Sequence, residues 1–335
     1  MQFSFSRVVV VLLAMSTVAV AAEPAASDAR RGKTALSKLA AEMKPGTWAE
    51  LETEMPDRLW NAPPPSKGLH IGTWSDDAHW DSRTGQFLFF GVRQTRKFIA
   101  YSEQTNAWRA IDFEGKEDAP EVAQKFGHPY SVNGFDPARG RFYTSLHRYD
   151  FASGEWSKLP EPPHIGSAGS MCYEYSSAHD GLLRLARPGT LQLFSERDQK
   201  WETLGNIDVH GYHSFARHNP FRDEVLFAGG NDSQAVVILS KDGATKRMKD
   251  FPVKLTVRLG VVTVDPASGR YLMVGSDREF FEFDAEKNEY RRIEGELPWG
   301  RTTPKAAFIR EYGVTMWADE KVLLYKHDAP RPNGN

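Results

Sequence analysis

The chain has 335 residues, with 42 basic against 44 acidic side chains and no basic run, a balance that excludes the electrostatic footprint of a nucleic-acid binder. Its one cysteine, Cys172, excludes an intramolecular disulfide or a cysteine zinc site, so the core or closure of a ring must hold the fold, with a buried thiol expected. At the N-terminus, Arg7 precedes an uncharged run from Val8 to Ala22 that ends in the small-residue pattern Ala19, Val20, Ala21. That pattern predicts a secretory signal peptide over residues 1–22 and a periplasmic or secreted protein. The run is shorter than the roughly 20 residues a transmembrane helix needs. No other stretch is long and apolar enough, so no membrane span is expected in the mature protein.

Residues 23–45 form a lead-in in which TALSKLAAEM has a helix-compatible pattern, expected to be dispensable for the fold. The GKT at Gly32 to Thr34 is not a phosphate loop, because Ser27 stands where the motif needs its first glycine. Residues 46–56, GTWAELETEMP, read as a strand with no hairpin of its own.

From there a unit repeats. YSEQTNAW from Tyr101, YDFASGEW from Tyr149, FSERDQKW from Phe194 and FDAEKNEY from Phe283 each set two aromatics seven residues apart around a polar hairpin turn. Leu239, ending AVVIL, and Tyr325, ending KVLLY, mark two weaker copies. The spacings of 48, 45, 45, 44 and 42 residues match a four-stranded propeller blade. Before the hairpins stand Asp or Asn turns leading into apolar strands, as at Asp81, Asp136, Asn219 and Asp265, where the side chain fixes the turn.

The fold predicted is all-β: a six-bladed propeller of four-stranded antiparallel blades over residues 46–330, with a tail at 331–335. The blades fall at about 70–114, 126–160, 168–206, 210–252, 256–296 and 299–328. The last lacks its fourth strand, and the surplus N-terminal strand around Trp48 is predicted to fill the vacancy and close the ring.

An aromatic, an acidic turn and a Trp seven residues on, together with the glycine pair Gly229 and Gly230 closing one strand, resemble the kelch repeat over about residues 70–328. The resemblance implies a galactose-oxidase-type six-bladed propeller. Its copper branch would need a cysteine-linked tyrosine, for which Cys172 with Tyr130 or Tyr173 is the available pair. At family level the chain is also similar to periplasmic kelch-type sialic acid mutarotases, with no catalytic residue carried across by motif.

Loops between blades, and between second and third strands, open on one face around the axis, where propeller sites usually lie. Residues entering the first strands include Asp76, Asp77 and His79; His128 and Tyr130; Tyr173 and Glu174; His210, Tyr212 and His213; Arg258; and Arg301 with Lys305. An enzyme of lyase or epimerase type acting on an acidic carbohydrate would use His213 or His128 as base, Tyr130 as acid and Arg258 or Arg301 for the carboxylate. Glu174, Tyr173, His79 and Trp74 would add ligand contacts, with Trp299 a second stacking platform. The alternative is a non-catalytic propeller that binds a glycan, a small molecule or an envelope protein. HGYH at His210 to His213, with His218 following, places two imidazoles on opposite faces of a strand, so no metal and no cofactor are assigned.

Overall fold

A computed structural model describes residues 30–54, 76–90, 98–111, 131–163, 171–231, 233–257, 259–300 and 303–328. The predicted signal peptide, Trp74, His128, Tyr130, Arg258, Arg301 and the tail lie outside them. Among the described residues, no helix is long and apolar enough to cross a membrane.

Six four-stranded antiparallel sheets make the ring. Their first strands are His79–Asp81, Asn133–Asp136, Met171–Ser176, Ser214–Asn219, Val261–Val264 and Lys305–Ile309. These strands meet side by side at the axis: the Tyr173 N–H donates to the Ser131 carbonyl at 2.7 Å, and the Ala306 N–H to the Asp76 carbonyl at 3.0 Å. The hairpin markers are cross-strand partners, with Tyr101 opposite Trp108, Tyr149 opposite Trp156, Phe194 opposite Trp201 and Phe283 opposite Tyr290. Their ring centroids lie 4.5 to 5.4 Å apart, so each pair fills the space between one blade and the next. The repeat seen in the sequence is therefore a repeat of inter-blade packing.

The Asp turns work as their chemistry predicts. At Asp136, Oδ1 accepts from the backbone of Ala138 at 3.0 Å and of Arg139 at 3.1 Å, and Gly140 follows at φ +64°, where a side chain would be strained.

Ring closure follows the predicted swap. Thr47–Glu50 is the outer strand of blade six, antiparallel to Val322–Lys326, with Trp48 opposite Tyr325. Trp48 stacks on Tyr325 at 4.5 Å and meets Trp317 and Trp299 edge-on at 5.4 and 5.3 Å. The seam is thus an aromatic cluster between the last blade and the strand supplied by the N-terminal side.

The lead-in holds the helix its pattern suggested, packed against the ring. Ala35–Glu42 is a helix with a reciprocal Thr34–Ser37 capping box, and Leu36, Ala40 and Met43 are buried with side chains of blades one and six. Arg30 forms a buried ion pair with Glu103, which also accepts from Thr34 Oγ1 at 3.2 Å and Tyr312 Oη at 2.8 Å. The helix straps blade one to blade six, and a segment with this much buried contact is part of the fold.

Candidate functional site

The six first strands alternate their side chains, so every second residue turns towards one neighbouring blade and the rest towards the other. At the axis this brings ionisable groups from four blades together. Arg217, mid-strand in blade four, donates through Nη1 to Asp77 Oδ1 at 2.6 Å, through Nη2 to Asp76 Oδ2 at 3.0 Å, and through Nε to the Val262 carbonyl at 2.8 Å. The Asp77 Oδ2 atom accepts from the Asn133 backbone at 2.8 Å. Glu174 of blade three lies 3.5 Å from Arg217 Nη1, too far for a hydrogen bond. Lys305 supplies the second positive charge, with Asp76 and Asp77 as its electrostatic partners. All five side chains are buried.

Three carboxyl groups therefore face two basic side chains, all of them buried. Burial pushes Asp76 up to about 6 despite Arg217, and raises Asp77. Glu174, farther from the guanidinium, is held well above the usual carboxylate range by burial. Burial also lowers Lys305 to about 7. His79 falls to about 3 through burial, aided by the Arg217 charge, and His218 to about 4 through burial, so both imidazoles are neutral.

Beside this cluster is a cavity offering about 110 Å³ to the centre of a water molecule. His79, Glu174, Arg217, His218 and Thr263 form its polar end. Trp80, Phe135, Tyr175 and Phe308 line the remainder with Pro137, Ser177 and Pro220, which immediately follow first strands. The cavity runs from the acidic cluster towards the turns joining first and second strands, away from the loop face on which the sequence placed a site. Glu174 Oε2, His79 Nε2, His218 Nε2 and Thr263 Oγ1 are buried there without a hydrogen-bond partner. Unpartnered polar atoms of this kind are rare in protein interiors and call for an explanation.

Of the candidates drawn from the sequence, the structure brings His79 and Glu174 together, with Asp76, Asp77 and Lys305 from the same first-strand entries. Tyr173 is elsewhere: one residue from Glu174, it points to the opposite face and packs between blades two and three, where Arg184 Nε donates to its hydroxyl at 3.2 Å. His213 lies outside the cavity, its Nδ1 bonded to Asn231 Oδ1 at 2.7 Å and its ring stacked on Tyr212. Trp299 is not a ligand platform, because it stacks on Trp317 at 5.1 Å in the seam. A Cys172–Tyr173 link is excluded by the same alternation, since Cys172 packs between blades three and four. Its thiol, pushed up to about 12 by burial, is unreactive. Arg217 and the cavity position of His218 were missed. The available signal was an arginine inside an otherwise core-forming first strand, which must find carboxylates when buried.

Among the described residues, the donor atoms of Asp77, His79 and Glu174 are the group with the spacing of metal ligands, all within 4.8 Å of one another. The histidines of HGYH do not join them.

No protein-family model and no curated protein sequence matches the chain. Solved structures resemble it. A structural-genomics protein of unknown function from Bacteroides thetaiotaomicron has 11% identity over 86% of this chain and 73% of its own, with a TM-score of 0.54. A streptogramin B lyase has 10% identity over 83% of this chain and 96% of its own, with a TM-score of 0.51. A fungal alcohol oxidase solved in complex with copper has 9% identity, covering 75% of this chain and 62% of that one, with a TM-score of 0.47. At such identities the likeness to the first two is one of fold, and activity has to be argued from the site.

Proposed function

We propose that the protein is an exported propeller whose axial cavity takes a small hydroxylated ligand of the carbohydrate class and exchanges protons with it, as a lyase or epimerase does. One observation carries the reading: a carboxyl group and two imidazoles, each with a buried polar atom that has no hydrogen-bond partner, face a single cavity. Burial gives the groups complementary states. Burial favours the protonated form of Glu174 and the neutral form of His218. In an elimination, His218 Nε2 takes the proton from the carbon next to a carbonyl or carboxyl group, the electron pair forms the carbon–carbon double bond, and Glu174 protonates the departing oxygen. The aromatic walls suit the apolar face of a sugar ring.

Arg217 is engaged by Asp76 and Asp77, so it is not assigned a sugar carboxylate. A panel of neutral and acidic oligosaccharides, read for an unsaturated product by ultraviolet absorbance or for a changed anomer ratio by NMR, tests the proposal. The wild-type protein is expected to turn over at least one class, and His218→Ala to lose about 100-fold or more in rate. Binding without turnover, or no binding at all, overturns the proton-exchange reading.

A further inference from the structure

We propose that Asp77, His79 and Glu174 form a site for one divalent transition-metal ion at the polar end of the axial cavity. Their donor atoms come from two blades and lie within 4.8 Å of one another, the mutual spacing of ligands around a single ion. Asp77 is fully buried and Glu174 only 2% exposed, so the arrangement is not the loose acidic patch of a protein surface. His79 Nε2 and Glu174 Oε2 have no hydrogen-bond partner, and that nitrogen stands 3.5 Å from Asp77 Oδ1.

The physical difficulty is the direction of the lone pairs. With the imidazole proton on Nδ1, His79 Nε2 presents a lone pair towards Asp77 Oδ1 at 3.5 Å. Facing lone pairs repel unless a cation lies between them. Arg217 meets this only in part: its donors go to Asp76, Asp77 and the Val262 carbonyl, Nη1 stands 3.5 Å from Glu174 Oε2, and none bonds to His79.

Neighbouring contacts have the character of an outer shell. The Asn133 backbone N–H holds Asp77 Oδ2, while Arg217 braces Asp77 Oδ1. One imidazole nitrogen with two carboxylate oxygens suits zinc or manganese; calcium and magnesium prefer oxygen alone. Three protein ligands leave a position open to the cavity, where a hydroxyl or carbonyl oxygen of a ligand can bind. With the ion bound, the ion would take over from Glu174 the role of polarising the departing oxygen, leaving proton removal to His218. The inference rests on the cavity and not on turnover, so it stands or falls separately from the proposed reaction.

The test is equilibrium binding of zinc alone to the EDTA-treated mature protein, by calorimetry and by competition with a fluorescent chelator. One ion per chain is expected. His79→Ala, the more conservative His79→Gln, and Glu174→Gln should each weaken binding by about 100-fold or more. His179→Ala, whose imidazole is bonded to the Ser240 carbonyl outside the cavity, should bind as the wild type does. Circular dichroism melts establish that each variant is folded. No saturable binding by the wild type, or unchanged binding by the folded His79→Gln and Glu174→Gln proteins, overturns the proposal.

Discussion

The seam and the axis are both buried, and they are built on opposite principles. At the seam, Trp48, Trp299, Trp317, Tyr325 and Phe280 pack ring against ring, and polar atoms find partners: Trp317 Nε1 donates to Thr315 Oγ1 at 2.7 Å, and Tyr325 Oη bonds His327 Nδ1 at 3.2 Å. Nearby, Glu282 is held by Arg270 and Arg291, each at 2.9 Å, and by His327. At the axis, carboxyl groups outnumber basic side chains, and four polar atoms face a cavity without a partner. Closing the ring demands stable packing. The axis carries buried polar groups that a purely structural core would have replaced with apolar ones, and such concentrations of shifted, unpartnered groups are characteristic of functional sites.

The largest effect expected is on the seam. Removal of residues 1–56 takes away the strap helix, Arg30 and the outer strand of blade six together, so the remaining chain should lose its cooperative thermal transition by circular dichroism. A cooperative melt close to that of the intact protein would mean that the ring closes without its fourth strand.

A smaller effect separates the two regions by pH. Burial works against ionisation of Glu282, but the bonds from His327 and Arg291 win and pull it down to about 2, from an ordinary value of 4.5. A folded-state value below the unfolded one gives stability that is complete above about pH 4.5 and lost as pH falls towards 2. Melting temperatures should therefore drop through that window, and Glu282→Gln should flatten the drop. If the two proteins show the same pH dependence, the ion cluster contributes nothing to closure.

The ease with which these regions could be read from sequence also differs, for a physical reason. Blades repeat a packing problem, so Tyr101 with Trp108 and Tyr149 with Trp156 recur at blade spacing, and the unpaired strand around Trp48 announces the closure. The axis is not repeated, because each first strand contributes a different side chain. Position alone was enough to single out Asp76, Asp77, His79, Glu174 and Lys305 as first-strand entries. It was not enough to separate Glu174 from Tyr173, since strand alternation sends one to the cavity and the other to an inter-blade core. Arg217 escaped because attention to loops passes over the middle of a strand. Trp299 looked like a platform because no repeat marked it as core, whereas its partner Trp317 comes from a different strand of the sheet.

The central claim is that the axis keeps a stability cost for the sake of its site. The raised value of Glu174 means that the folded protein holds a proton which the unfolded chain releases above about pH 4.5, so burying this group lowers stability increasingly as pH rises. Gln cannot ionise and escapes that cost. The direct measurement is the melting temperature of EDTA-treated Glu174→Gln against the wild type at pH 7.5 and at pH 4.5. The account predicts a higher melting temperature for the variant at pH 7.5 and a gain that shrinks at pH 4.5. A lower melting temperature for the variant at both pH values would show that Glu174 is a structural member of the axis, and would contradict the claim.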